Sequence, residues 1–113
     1  MHYTTYRHDA NVPWVVFVHG AGGSRLTWFK QVRDFRAQYN VLLVDLRGHG
    51  KSKTNGPVPS TRYTFQTIAN DVIDVLDHLG IPAAHFVGVS MGTIIIRAIG
   101  EYHPGRVQGM VMA

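Results

Sequence analysis

Ser90 has a glycine two residues before it and another two residues after it, in Gly88-Val89-Ser90-Met91-Gly92, and apolar residues surround the motif in HFVGVSMGTIII, residues 85–96. A hydroxyl in so apolar a run has a chemical use if the chain bends sharply there and lifts it clear of the core. The spacing matches G-x-S-x-G, in which a serine occupies a tight strand-to-helix turn. Such a turn is crowded, so the residues two away on either side must be small. The N-terminus of the following helix brings N–H groups and a positive dipole close to the serine. The N–H of Met91 is therefore placed to stabilise an oxyanion. A serine capping a helix with no chemistry is the plainer alternative.

Two other turns invite comparison with phosphate sites. HGAGGSR, residues 19–25, contains Gly20, Gly22 and Gly23, which let the backbone turn tightly and present its N–H groups. A dinucleotide fingerprint needs G-x-G-x-x-G, but here Gly20-Ala21-Gly22 is followed by Gly23, Ser24 and Arg25, so the third glycine is missing. Asp45 lies where a ribose-binding acid would be expected, which keeps a dinucleotide-binding oxidoreductase as a rival. DLRGHGKSK, residues 45–53, contains a GKS triplet, yet position 45 is Asp where a P-loop requires glycine, and TNGPVP follows in place of a helix.

These turns need a scaffold. Four short apolar runs read as strands: WVVFV (14–18), VLLVD (41–45), AHFVGV (84–89) and RVQGMVMA (106–113). The first three lack clean alternation, as strands buried on both faces of a parallel sheet do. MHYTTYRH, residues 1–8, alternates weakly and suits an edge strand or hairpin. Between the runs lie three stretches of helical length. Residues 24–39 have Ser24 as N-cap and Asn40 at the end, with Leu26, Phe29, Val32 (or Arg33) and Phe35 or Arg36 at helical spacing and Trp28 alongside. Residues 64–79 place Phe65, Ile68, Val72, Val75 and Leu79 on one face, with Gly80 as the stop and Pro82 just beyond. Residues 91–102, with Ile94, Ile95 and Ile96, read as a helix apolar nearly all round and hence buried. Alternating strands and helices predict an α/β fold: a mostly parallel open sheet with flanking helices. Sites in such sheets form at the carboxyl ends of strands.

The 113 residues fit one domain at most, and 45% hydrophobic against 16% charged residues favours a folded chain over disorder. The formal charge of +4 is spread over Arg25, Lys30, Arg33, Arg36, Arg47, Lys51 and Lys53 with no basic run interleaved with aromatics, so no nucleic-acid partner is expected. There are no cysteines, which removes disulfides and thiolate metal sites. No His/Asp set has metal-ligand spacing, so no metal or cofactor is expected. The N-terminus lacks an apolar signal core and no run approaches a membrane span, so the expectation is a cytoplasmic protein with no membrane partner.

In order along the chain, VVFVHGAGGS, VLLVDLRGHGKS, ANDVIDVLDHLGI, HFVGVSMG and YHPGRVQGMVMA together resemble the N-terminal part of the α/β-hydrolase superfamily, of the esterase, lactonase and carbon–carbon hydrolase type. The resemblance covers essentially all of residues 1–113 and implies half of a domain. It implies that Ser90 is the nucleophile, that the backbone N–H groups of Ala21 and Met91 form the oxyanion hole, and that His19, Gly20, Gly88 and Gly92 support the two turns. It implies a small acyl or carbonyl substrate (an ester, thioester, lactone or diketone), and Ser rather than Asp at position 90 argues against a dehalogenase or epoxide hydrolase.

A serine needs a base to take its proton. In this superfamily the acid and then the histidine follow the nucleophile. After Ser90 there are only Glu101 and His103. A helix between them at 1.5 Å per residue would hold His103 on the order of 20 Å away. His19 and His49 read as turn residues, and His2, His8, His78 and His85 have no motif around them. The expectation is therefore a nucleophile and an oxyanion hole without acid, base or lid, inactive as residues 1–113 alone. A C-terminal remainder of the fold or a second chain would supply the rest through the open edge of the last strand. A non-catalytic fragment or an assembly module is the alternative.

Overall fold

The computed structural model describes residues 2–20, 23–46 and 64–112. Five strands form one sheet: β1 (His2–Tyr6), β2 (Trp14–Val18), β3 (Asn40–Asp45), β4 (Ala84–Gly88) and β5 (Val107–Met112). Among the described residues three α-helices lie between the strands: α1 (Phe29–Phe35), α2 (Phe65–Leu79) and α3 (Met91–Tyr102). The strand order is β1-β3-β2-β4-β5, with β1 antiparallel to β3 and the other pairs parallel. This is the mostly parallel α/β sheet expected from the alternation, and residues 1–8 do provide its edge strand.

The order has a consequence for function. From β2 the chain moves through α1 to β3 on one side, whereas β4, the other neighbour of β2, leads through α3 to β5 on the opposite side. A crevice opens at the carboxyl ends of two adjacent strands whose connections diverge in this way, and ligands bind at such switch points. Here it lies between the ends of β2 and β4.

Each face of the sheet has its own core. On one face Val16, Val18, Leu42, Val44 and Phe86 meet Ile68, Val72 and Leu76 of α2 and Ile95, Ile96 and Ile99 of α3. On the other, Val15, Phe17, Val41 and Leu43 meet Trp28 and Val32. β3 is buried throughout, but burial alternates along β4, where His85 and Val87 are only half covered. This departs from the expectation that all three inner strands are buried on both faces. The seven-residue α1 packs over β2 and β3, and Val87 of β4 meets the edge of the same cluster.

The three helices follow their sequence signals unequally. α2 has the expected bounds and stop, and Ile68, Val72 and Val75 are buried as expected, but Phe65 in its first turn is exposed. The Thr64 hydroxyl accepts from the Thr67 N–H at 3.1 Å, and Gly80 (φ 72°) ends the helix with Gly80 N–H on Asp77 O and Ile81 N–H on Leu76 O. That bonding pattern is a Schellman stop, for which glycine is the favoured residue. Residues 24–39 do not form one helix. Ser24 does cap, accepting from Leu26 N–H at 3.2 Å, but it caps a 3-10 turn, Arg25–Trp28, before α1 begins. The tighter turn shifts the buried side to Trp28, Val32 and Phe35, and leaves Leu26 and Phe29 exposed. Asn40 is not a helix end. It is the buried first residue of β3, and its amide serves the loop after β1: it accepts from the His8 and Asp9 N–H groups and donates to the Asp9 and Val12 carbonyls. α3 is buried on one side only, since Ile94, Arg97, Glu101 and Tyr102 face outward.

Candidate active site

The crevice between β2 and β4 holds the residues singled out by their spacing. β4 ends at Gly88 and α3 begins at Met91, so Val89 and Ser90 make the whole turn. Ser90 has φ 55° and ψ −121° and is the sole non-glycine with positive φ among the described residues. L residues avoid this region at a cost of about 1–3 kcal/mol, and it persists only where the surroundings enforce it. The enforcement here is visible. Gly92 N–H donates to Val89 O at 2.9 Å, and Thr93 N–H donates to Ser90 O at 3.0 Å, so helical bonding begins immediately after the strand. Ser90 itself is exposed.

Both glycines of the motif answer to packing. A Cβ on Gly92 would collide with the carbonyl oxygen of Val18 and lie 2.9 Å from that of His19, because α3 starts directly against the end of β2. A Cβ on Gly88 would lie 2.5 Å from Ile96 Cδ1 and 2.9 Å from the Gly92 backbone. The glycines are what lets the helix start this close to the sheet.

From the other side of the crevice, Gly20 comes up against Ser90. A Cβ there would stand 3.1 Å from Ser90 Cβ, 3.2 Å from Val89 O and 3.6 Å from Ser90 Oγ. Its position is held by His19, which is fully buried. Leu46 N–H donates to His19 Nε2 at 3.0 Å, so Nε2 carries no proton and Nδ1–H donates to Gly20 O at 2.8 Å. One neutral ring thus ties the turn after β2 to the end of β3. Ala21, expected to give the second oxyanion N–H, lies outside the described residues, as does the whole RGHGKS turn with His49.

The remaining ionisable residues are placed elsewhere. Both nitrogens of His19 are engaged as described. His103 caps the far end of α3 and hydrogen-bonds Asn70 Oδ1 at 2.9 Å. His78 packs edge-on against Tyr3, and His85 stands beside Gly109 on the half-covered face of β4. Glu101 is exposed in the last turn of α3. Asp45 is fully buried at the end of β3, in register with His2 of the edge strand. An enclosed carboxylate is poorly placed to hold a ribose, which removes the geometric support for a dinucleotide site. Among the described residues no group of three His, Asp or Glu could hold a metal ion, and no helix is long and apolar enough to cross a membrane. A broad depression lined by Arg7, Trp14, Asn40, Gly80 and Gln108 sits at the opposite end of the strands, away from Ser90.

Known proteins share this arrangement. A family model described as alpha/beta hydrolase fold matches residues 13–113. The chain is 37% identical over 103 residues to 3-oxoadipate enol-lactonase 1 of Acinetobacter baylyi, covering 91% of this chain and 37% of that protein. It is 29% identical to epoxide hydrolase 4 of Homo sapiens over 88% of this chain and 27% of that one. The crystal structure of the enol-lactonase from Burkholderia xenovorans superposes with a TM-score of 0.86 at 31% identity, over 96% of this chain and 41% of the other. The chain therefore spans about two-fifths of the length of these lactonases. Strand order, the turn at Ser90 and the match over residues 13–113 together make this chain a member of the alpha/beta hydrolase fold family.

Proposed function

We propose that residues 1–113 are the N-terminal part of a serine hydrolase domain that cleaves small esters, lactones, thioesters or related carbonyl compounds through an acyl-Ser90 intermediate. The observation that carries this reading is the backbone of Ser90. An exposed hydroxyl is held at φ 55° where β4 meets α3, against Gly20 from the neighbouring turn. Strain of this kind is kept where chemistry needs a presented side chain. Met91 N–H and Ala21 N–H are assigned to the oxyanion hole, and His19, Gly20, Gly88 and Gly92 to the support of the turns.

Relatives include both lactonases and epoxide hydrolases. The chemistry of the nucleophile decides between them for this chain. A serine alkoxide that opened an epoxide would leave an ether, which has no carbonyl for water to attack. The same alkoxide on a lactone or ester leaves an acyl ester that water can hydrolyse. Ser90 therefore favours acyl transfer. The base and its orienting acid are assigned to the C-terminal portion of the fold, in this polypeptide or in a second chain. β5 supports this, because it is an edge strand with Met110, Val111 and Met112 exposed.

The test is covalent labelling with a fluorophosphonate, read by mass spectrometry, on the chain completed by the C-terminal portion. Labelling at Ser90 and its loss in Ser90→Ala is expected, and labelling at another residue would overturn the assignment. Residues 1–113 alone are expected to show negligible turnover, as triads stripped of their base retain only residual catalysis. Ester hydrolysis by this chain alone at an ordinary enzymatic rate, abolished by Ser90→Ala, would contradict that expectation.

A further inference from the structure

The carbonyl of Ser90 receives two hydrogen bonds from one residue. Thr93 N–H donates to it at 3.0 Å, an i→i−3 bond that tightens the first turn of the helix, and Thr93 Oγ1 donates to it at 2.6 Å. The second bond is not required by the helix. Threonine is a weaker helix former than alanine, and a hydroxyl bonded back to a carbonyl one turn earlier tends to bend or loosen a helix. Its position suggests another use. The carbonyl it grips belongs to the Ser90–Met91 peptide, and the N–H of that same peptide is Met91 N–H.

A trans peptide is a rigid plane whose C=O and N–H point in opposite directions. The described residues contain no cis peptide, so the direction of the Ser90 carbonyl fixes the direction of the Met91 N–H. Met91 is the first residue of α3, and the N–H there has no acceptor within the helix. What sets the tilt of this plane is ψ of Ser90, at −121°, in a region that residues other than glycine rarely occupy. The backbone donors of the helix reach this oxygen along the helix axis, and the Thr93 hydroxyl adds a side-chain donor to them. Donors converging on one oxygen hold the plane.

We propose that Thr93 is a positioning residue: its hydroxyl clamps the Ser90–Met91 peptide and so aims the Met91 N–H at the oxyanion formed on Ser90. This rests on the reading of Ser90 as nucleophile and Met91 N–H as oxyanion donor. Thr93 is not a catalytic residue, since its hydroxyl is committed to the carbonyl on the far side of the peptide. Nothing in the G-x-S-x-G pattern specifies it, because the pattern ends at Gly92.

The test compares wild type, Thr93→Val, Thr93→Ala and Thr93→Ser, each in the chain completed by the C-terminal portion. Valine keeps the shape and removes the donor, alanine removes the donor while favouring the helix, and serine keeps the donor. Ser90 phosphonylation by a fluorophosphonate is followed by mass spectrometry, with thermal melting of each protein alongside. In Thr93→Val and Thr93→Ala the maximal labelling rate is expected to fall about 10-fold with the half-saturating probe concentration unchanged, less than the 10²–10³ lost when an oxyanion donor is removed outright. Thr93→Ser restores the rate. A purely structural role would move melting and leave the rate per folded molecule alone, so wild-type rates in the valine and alanine variants overturn the inference while the nucleophile reading stands. If Ser90 labels in none of the proteins, the nucleophile reading falls instead. The clamp itself is then decided by the amide resonance of Met91, which must shift in Thr93→Val and return in Thr93→Ser, and an unchanged resonance overturns it.

Discussion

Gly20 and Ser90 meet across the crevice between β2 and β4, so closely that a methyl group on Gly20 would stand 3.1 Å from Ser90 Cβ and 3.6 Å from its Oγ. The two residues belong to different turns at the ends of neighbouring strands. Their contact makes one site of two motifs that are separate in the sequence.

Gly20→Ala is therefore expected to act on Ser90 more than on the fold. The added methyl also meets Val89 O at 3.2 Å, so the backbone on both sides must give by a few tenths of an ångström. Misplacement of about 1 Å at a reacting group can cost 10²-fold, and a smaller shift should lower Ser90 labelling in the completed chain about 10-fold. Gly105→Ala is the control, as a Cβ there meets nothing within 4 Å. Equal labelling of Gly20→Ala and wild type would show that the approach is relaxed easily.

Gly92→Ala should instead damage the fold. Its Cβ would run into the Val18 carbonyl and lie 2.9 Å from the His19 carbonyl, neither of which is a movable side chain. α3 would have to lift from β2, disturbing Ile95, Ile96 and Ile99 in the core beneath. Overpacking of this kind costs about 3 kcal/mol at the upper end, which lowers the melting temperature by roughly 10–20 °C in a domain of this size. Gly88→Ala meets Ile96 Cδ1 at 2.5 Å and the Gly92 backbone at 2.9 Å. Adding Ile96→Val to Gly88→Ala relieves the first contact only, so calorimetry should find partial recovery.

How much of this was legible in the sequence depends on whether the information is local. The strands, α2 with its Gly80 stop, and the turn at Ser90 were readable because each is written in a few consecutive residues. The 3-10 turn before α1 was not, because what favours it is the docking of Trp28 on Phe17, with ring centroids 5.1 Å apart. Asn40 looked like a helix end because asparagine suits one, and its actual role depends on a loop some thirty residues earlier in the chain. The half-covered face of β4, at His85 and Val87, depends on what packs over the sheet there, which periodicity along β4 does not record. At the site, Ser90 and its glycines were visible as a motif. The Gly20–Ser90 contact and the Thr93 hydroxyl on the Ser90 carbonyl were not, since both depend on the distances that folding sets.

Ser90→Gly is expected to stabilise the chain relative to Ser90→Ala. Both lose the hydroxyl, but alanine retains the Cβ that makes φ 55° unfavourable, and glycine does not. Relief of about 1–3 kcal/mol of strain is offset by the about 0.5–1 kcal/mol that glycine loses in ordering. A net gain of about 1 kcal/mol should raise the melting temperature by roughly 4–8 °C over Ser90→Ala. If the alanine variant melts higher, the turn is not strained and the main support for a presented nucleophile is removed.

Asn40 provides the opposite experiment, a large effect on stability without one on the site. Its side-chain oxygen accepts from His8 N–H at 2.6 Å and Asp9 N–H at 3.1 Å, and its amide nitrogen donates to Asp9 O at 2.7 Å and Val12 O at 3.1 Å. These bonds close the loop between β1 and β2 at the amino ends of the strands, away from Ser90. Asn40→Leu has nearly the same volume and none of the four bonds, so it strands partly buried backbone groups at about 1–3 kcal/mol each where water cannot reach them. Because the loop can open to solvent, the expected total is about 3 kcal/mol, well below the sum. Asn40→Asp keeps the two acceptor bonds and loses both donors, placing a carboxylate oxygen against the carbonyls of Asp9 and Val12. It should therefore also destabilise, and more as pH rises and the carboxylate ionises. In both variants the labelling of Ser90, normalised to the folded fraction, should match wild type. A drop in that normalised rate would mean that the two ends of the sheet are mechanically coupled, and that variants at the crevice cannot be read by local geometry alone.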